Sequence, residues 1–361
     1  MKPELEKLCT DYIANREALK KAFRWDNKTL FSAGANIFCA NGHNADPEKL
    51  KECRKVIRKN TGTFSKFRSK KIRSLLAAML ALGESPEDRM ALANDYYRML
   101  RRRFKRTEYL VLCAFLLTDL ESKRLTEEKV NRGRELFRRM NRKHRILTNN
   151  TDSVFAMLLA FSDKTDDELL EDMEACYRAL KAKFSGNGAQ TAAQVLSVAA
   201  GTPEVKARRV AELYNALLEA GVKYGHASEA APLAALSLTD ASIDELVGEI
   251  RDADEFLGTQ KIYGSKDDEL AQRAMHAVMI VSDQYAGTDR VNVTVMTNTL
   301  DMLISQEQAR RVSMALEALQ FGAKFLEKAD SKTEKAADET GGQAEAGSRP
   351  AETDTAGNAV E

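Results

Sequence analysis

Two rows of arginines with four-residue spacing are the strongest chemical signal in this chain of 361 residues: Arg98, Arg102, Arg106 and Arg134, Arg138, Arg142. Residues four apart lie on one face of an α-helix. A guanidinium group presents its N–H donors in a rigid fork that matches the oxygens of phosphate and carboxylate groups. The spacing therefore predicts a surface that binds anions.

When the sequence is aligned with itself at an offset of forty residues, Arg98 matches Arg138 and Arg102 matches Arg142. Arg178 matches Arg138 at the same offset. If successive helices stack, these rows lie side by side. Like charges at this spacing each destabilise an isolated helix by a few tenths of a kcal/mol, which an anionic partner would relieve. We call the seven residues the arginine grid and predict that they form the partner-binding site.

Other constellations are too incomplete to support catalysis or ligand binding. None of the four histidines lies at metal-ligand spacing, and Cys39 with His43 gives two ligands where structural zinc takes four. Gly186 and Gly188 lack the third glycine of a dinucleotide-binding turn. His144 occupies an apolar slot, which favours packing or a role at a helix C-terminus. We therefore predict no catalytic, cofactor-binding or metal-binding residue and no cofactor.

Cysteine use and hydropathy bear on the compartment. The five cysteines are odd in number and lack C-x-x-C spacing, which favours buried free thiols in a reducing environment. The longest apolar run covers residues 110–117, whereas a membrane-spanning helix needs roughly 20 apolar residues. Since the first residues also lack the apolar core of a signal peptide, we expect a cytoplasmic protein without a transmembrane segment.

The net charge of +1 conceals a strong asymmetry along the chain. Residues 1–150 contain 35 Lys and Arg against 18 Asp and Glu, a net charge of +17, and residues 151–361 contain 20 against 36, a net charge of −16. In an elongated rod the two poles would lie several Debye lengths apart, one length being roughly 8 Å at physiological salt. The asymmetry also predicts salt-sensitive self-association, basic pole against acidic pole.

The elements that carry these residues repeat. An aromatic residue recurs in the apolar seam of successive amphipathic helices, at Tyr97, Phe137, Tyr177 and Tyr214, and a more apolar helix precedes each of them. A two-helix unit of about forty residues is typical of HEAT-like arrays, because neither helix buries its apolar stripe alone. The predicted fold is all-α, with HEAT-like pairs stacked as a right-handed α-solenoid.

The expected domain organisation has four parts. Residues 1–62 form an N-terminal helical cap, residues 63–258 the hairpin repeats, residues 259–328 a C-terminal helical cap, and residues 329–361 a disordered acidic tail. Pro47, Pro86 and Pro203 each follow a capping residue and predict helix starts. Trp25 is expected to pack in the core. Gly133, in a seam, is expected to let a neighbouring helix approach closely.

Several segments resemble a bacterial family catalogued as domain of unknown function 4003: residues 64–69, 75–80, 152–156, 174–177 and 221–225. The resemblance covers roughly residues 5–325. It implies a cytoplasmic bacterial protein of helical fold, with no assigned activity, cofactor or partner.

The pattern as a whole predicts a non-enzymatic binding or scaffold protein that docks an acidic protein surface or a nucleic acid on the arginine grid. A merely solvated helix face is the plain alternative. Anionic lipid is less favoured, since no basic helix presents a clear apolar face. A nucleic-acid-processing enzyme is the alternative of another class; it would need a carboxylate such as Asp95 or Glu135 in a cleft with a perturbed pKa.

Overall fold

The computed structural model describes residues 1–26, 29–120, 124–145, 147–148, 150, 152–227 and 229–285. Those ranges contain fourteen α-helices and no β-strand, so the prediction of an all-α fold is confirmed. None of these helices combines the length and apolar character needed to cross a membrane. The part of the expected C-terminal cap beyond residue 285 and the predicted tail at 329–361 lie outside the described residues.

The helices alternate along the chain between two kinds. The odd-numbered helices bury one face and expose the other, and we call them the outer helices: α1 (Pro3–Ala22), α3 (Pro47–Lys59), α5 (Pro86–Leu100), α7 (Glu127–Lys143), α9 (Asp166–Leu180), α11 (Pro203–Glu219) and α13 (Ile243–Gly258). The even-numbered helices are shorter on average and more apolar, and we call them the inner helices: α2 (Thr29–Ala40), α4 (Arg73–Leu82), α6 (Glu108–Leu116), α8 (Asp152–Leu159), α10 (Gly186–Ser197), α12 (Ala230–Ser237) and α14 (Asp267–Gln284).

Local sequence accounts for where the outer helices begin. Pro47, Pro86 and Pro203 open α3, α5 and α11 as predicted, because proline has no N–H to leave unpaired and its φ suits the first helical turn. Thr165 accepts a hydrogen bond from the Glu168 amide at the start of α9, and the Glu168 carboxylate accepts one from the Thr165 amide. This is a complete capping box.

Burial separates the two kinds of helix. Residues 74–81 of α4, 109–116 of α6 and 230–237 of α12 are buried on all sides, whereas α7 buries only Val130, Gly133, Leu136 and Met140. A helix that is apolar all round must lie between other elements. Most outer helices pack more extensively on the inner helix that follows them than on the one before, so α7 pairs with α8, and α9 with α10.

The helical pairs close into a ring. Each outer helix contacts the next outer helix and each inner helix the next inner one, and α1 returns to α13 and α14 while α2 returns to α14. At this closure Lys2 Nζ lies 2.7 Å from Glu245 and 2.6 Å from Glu249. An open solenoid would keep its first and last helices apart, and these contacts do not support one. The expected separation of the basic and acidic halves is wrong at this contact.

Candidate anion-binding surface

All seven residues of the arginine grid are exposed, but they do not all lie on helices. Arg98 is on α5, the second row is on α7, and Arg178 is on α9. Because α5 ends at Leu100, Arg102 lies in the turn that follows and Arg106 in the segment leading to α6. The placement of Arg102 and Arg106 on the same helix as Arg98 is therefore wrong.

Nearby carboxylates pair with several of these arginines. The Arg98 guanidinium lies 3.0 Å from Asp95, and Arg138 donates two hydrogen bonds of 2.9 Å to Glu135. The hydrogen bond from Arg138 lowers the pKa of Glu135. Such pairs between exposed side chains contribute little to stability, because water and salt screen them. They leave the remaining N–H donors of each guanidinium free to bind an external anion.

Contacts between neighbouring outer helices bring the rows together. Arg102 lies 3.2 Å from Glu127, the first residue of α7. The Arg134 guanidinium lies 5.8 Å from the ring of Phe104 and 5.6 Å from that of Phe137, so it covers the junction between the end of α5 and the middle of α7. The predicted adjacency of the first two rows therefore corresponds to contacts between α5 and α7.

The loops that follow the outer helices gather at one end of the ring, which we call the basic end. Asp26, after α1, pairs with Arg73 at the start of α4, and Lys66, after α3, lies 3.2 Å from Glu108 at the start of α6. The Ser185 amide donates to the His226 carbonyl at 2.8 Å. The last turns of α1, α3, α5, α7 and α9 carry Lys or Arg.

The opposite end carries acidic side chains. All seven outer helices contain Asp or Glu in the first turn. Each sign of charge thus sits where it stabilises the helix dipole. The two signs are not fully separated, because Arg102 and Arg139 pair with Glu127 and Asp167 in the first turns of the next outer helices.

A charged position that is partly or fully buried recurs in the outer helices and was missed by sequence reasoning. Arg132 donates to the carbonyls of Ala160, Ser162 and Lys164 beyond the end of α8. Arg209 does the same for residues 237, 239 and 241 beyond α12. Shifts of forty, thirty-seven and forty residues align four members of this position: Arg132, Asp172, Arg209 and Glu249. The repeat itself was the signal that could have found them.

At the same repeat position, Asp172 and Glu249 carry a negative charge where Arg132 and Arg209 carry a positive one. Asp172 binds the ammonium groups of Lys164 and Lys206 at 2.9 and 2.7 Å, and those lysines donate to carbonyls at the end of α10. Glu249 binds Lys2 and accepts from Gln284. These charges hold inner-helix ends in place, so they are structural and are not available to a partner.

The carboxylates that an enzyme would need are not enclosed. Asp95 and Glu135 have side chains 59% and 42% exposed, and both are paired with arginines on the outer surface. The pKa of Glu135 is lowered, whereas a general acid at neutral pH requires a raised one. This geometry disfavours either residue as the enclosed carboxylate that a nucleic-acid-processing enzyme would need.

Histidine and cysteine side chains lie mainly in packing environments. His144 ends α7, its ring centroid lies 4.5 Å from that of Tyr177, and its Nε2 lies 2.8 Å from Glu174, in agreement with the predicted role. All five cysteines are buried and free, and burial raises the pKa of Cys39 to about 12. In the part of the chain that the structure describes, no three His, Cys, Asp or Glu side chains are grouped to hold a metal.

A comparison with known protein families tests whether the chain belongs to the family that several of its segments resemble. The family described as "Protein of unknown function (DUF4003)" matches residues 15–309. The chain belongs to this family. The "Uncharacterized protein YeaA" of Bacillus subtilis (strain 168) is 23% identical to it over 226 residues, which cover 60% of this chain and 68% of the relative. No solved structure matches this DUF4003 chain.

Proposed function

We propose that this DUF4003 protein is a non-enzymatic binding or scaffold protein that docks an anionic partner on the arginine grid. One observation carries the proposal: all seven grid residues are exposed on adjoining outer helices and the segments that follow them. Two other arginines of the outer helices, Arg132 and Arg209, donate instead to backbone carbonyls. The division between structural and available guanidinium groups supports a dedicated surface.

The guanidinium N–H donors of the arginine grid define the chemical class of the partner. Guanidinium groups bind carboxylates and phosphates in pairs of parallel hydrogen bonds, so an acidic protein surface and a nucleic acid both fit. If nucleic acid is the partner, log affinity falls linearly with log salt in proportion to the phosphates contacted. The exposure of Asp95 and Glu135 weighs against the alternative of a nucleic-acid-processing enzyme.

The finer features of the fold belong to the same proposal. We infer that the pairs from α4 to α13 are HEAT-like repeats of one unit, because equivalent aromatic slots meet three times: Phe104 with Phe137, His144 with Tyr177, and Phe184 with Tyr214. The boundaries at 62, 258 and 328 and the cytoplasmic location stay predictions; the buried free thiols are consistent with the latter.

A four-residue charge reversal tests the docking surface. The variant Arg98→Glu, Arg102→Glu, Arg138→Glu, Arg142→Glu changes only exposed side chains, so its far-ultraviolet circular dichroism should match that of the unaltered protein. Affinity purification from the native cell, with and without nuclease, should recover a specific partner with the unaltered protein and lose it with the variant. Partner loss on nuclease treatment would identify nucleic acid.

The matched control reverses four exposed basic residues of the second half: Arg208→Glu, Lys223→Glu, Arg251→Glu, Lys261→Glu. It changes the net charge by the same amount but leaves the grid intact, so partner recovery should persist. Equal recovery with both variants, or equal loss, would show that the arginine grid is not the binding surface.

We also propose salt-sensitive self-association, in which the basic end of one copy contacts the acidic end of another. A heterologous contact of this kind does not close on itself and builds linear stacks. Light scattering should show a larger mean mass at about 20 mM salt than at about 500 mM, because short Debye lengths weaken contacts between exposed charges. A mass that is the same at both salt concentrations would remove the prediction.

A further inference from the structure

Two large aromatic side chains stand in solvent at the basic end of the ring. Trp25 is 78% exposed and Phe64 is 100% exposed. The expectation that Trp25 packs in the core is wrong, since it lies in the turn after α1 with the Arg24 guanidinium 4.8 Å from its ring. Exposed aromatic area of this size is unfavourable in water, and when it occurs next to charged groups it commonly marks an interaction surface.

The chain fixes both aromatic residues in place through their neighbours. Phe23 and Asp26, on either side of Trp25, are buried, and Asp26 forms an ion pair with Arg73 at the start of α4. On the other segment, the Arg68 guanidinium donates to the carbonyls of Arg58 and Thr61, which holds the turn containing Phe64 against the end of α3. The two rings therefore project from short, tethered segments at the same end of neighbouring helices.

Basic side chains surround these segments. Lys66, Lys70 and Lys71 are exposed beside Phe64, and Arg24 is exposed beside Trp25. Lys20 and Lys21 occupy the last turn of α1, and Lys59 the last turn of α3. The inner helices α2 and α4 also begin at this end, so the positive ends of their dipoles add to the field.

We propose that this edge of the molecule, formed by residues 20–26 and 58–71, docks on an anionic lipid bilayer. Trp25 and Phe64 enter the interfacial region, where aromatic rings are favoured at headgroup depth. The surrounding lysines and arginines contact anionic headgroups, each basic residue strengthening binding by about fivefold. The acidic first turns of α1 and α3 then lie at the ends of these two helices away from the membrane.

The observations favour a bilayer over a polymer partner. The two rings project from separate segments and the charge around Phe64 is mainly lysine, a point charge that does not require the fixed geometry of a bidentate site. A bilayer accepts both features, since headgroups rearrange around the charges and both rings enter the same interface. The site uses other residues than the arginine grid, so it goes beyond the docking proposed above.

The single tryptophan of the chain makes the test specific, because its emission reports on this edge alone. The full chain is mixed with vesicles of phosphatidylcholine alone or with about one third phosphatidylserine. We expect a blue shift of the Trp25 emission and co-sedimentation only with the anionic vesicles, both lost at about 0.5 M salt. Phe64→Ser should weaken co-sedimentation about tenfold, and Trp25→Ser to a similar extent.

Val205→Ser is the matched control, since Val205 is 50% exposed in the first turn of α11 at the acidic end. It should bind the anionic vesicles as the unaltered protein does. The proposal is overturned if Trp25 emission stays unshifted with anionic vesicles, if Phe64→Ser and Val205→Ser bind equally, or if the emission responds to a single-stranded oligonucleotide instead. Phe64→Ser should still recover the partner of the arginine grid, so the two proposals fail independently.

Discussion

At the scale of single residues, burial and not residue type decides what a charge does in this protein. Arg132 and Arg134 are two positions apart on α7, yet Arg132 donates to three backbone carbonyls, whereas Arg134 is exposed and lies within 6 Å of the rings of Phe104 and Phe137. Removing Arg132 would leave those carbonyls without a donor, which costs about 1–3 kcal/mol for each buried group. Only the second kind of arginine is available to a partner.

The buried His276 of α14 should make stability depend on pH. Its Nδ1 lies 2.7 Å from the Tyr263 hydroxyl, and the ring packs near Tyr12. Burial, with a smaller contribution from Arg16, lowers the pKa of His276 to about 3. The unfolded chain takes up this proton near pH 6.5. Below that pH, protonation therefore favours the unfolded state, and stability falls as the pH falls towards 3.

For the unaltered protein, His276 should remove about 2 kcal/mol of unfolding free energy between pH 7 and pH 5. His276→Gln cannot take up this proton, so its unfolding free energy should fall by that much less over the same interval. Urea titrations at the two pH values measure both differences. An identical pH dependence in the two proteins would show that His276 is not buried as a neutral group.

At the scale of helices, close approach between α7 and α8 depends on a glycine. A Cβ on Gly133 would lie 2.4 Å from the Met157 sulfur and 3.3 Å from the Met157 Cα, so the predicted close approach is present. The two helices form one of the tightly packed pairs of the ring. The missing side chain at this position sets their distance.

Gly133→Ala and Gly248→Ala should change stability in opposite directions. Alanine favours a helix over glycine by about 1 kcal/mol. At Gly133 the clash with Met157 outweighs this gain, and we expect a net loss of about 1–3 kcal/mol. Gly248 lies on α13 with nothing within 4 Å of an added Cβ, so alanine should stabilise by about 0.5–1 kcal/mol. Midpoints of chemical unfolding measure both; a shift in the same direction for the two variants would contradict the packing described.

At the scale of the whole molecule, sequence periodicity predicted the elements better than their assembly. The helix starts at Pro47, Pro86 and Pro203 depend on local chemistry, and the structure confirms them. The return of α1 to α13 and α14 depends on contacts between residues some 240 positions apart, such as Lys2 with Glu245. No local pattern encodes such a contact, so the sequence suggested an open array.

The same limit applies to the candidate site. Four-residue spacing correctly placed the second row on α7, but α5 ends at Leu100, so Arg102 and Arg106 lie beyond the helix. The exposure of Trp25 could not be predicted, because a lone tryptophan is usually buried and only its buried neighbours Phe23 and Asp26 turn it outward. The concentration of basic side chains at one end depends on tertiary contacts between loops, such as Lys66 with Glu108, which no local pattern encodes.

Arginine footprinting of the partner complex tests the central claim most directly. Phenylglyoxal modifies accessible guanidinium groups, and mass spectrometry measures the extent at each position. In the complex recovered by affinity purification, Arg98, Arg102, Arg138 and Arg142 should become protected, while the exposed Arg208 and Arg251 stay as reactive as in the free protein. Undiminished modification of the grid residues in a stable complex would contradict the docking surface and leave them as ordinary solvated side chains.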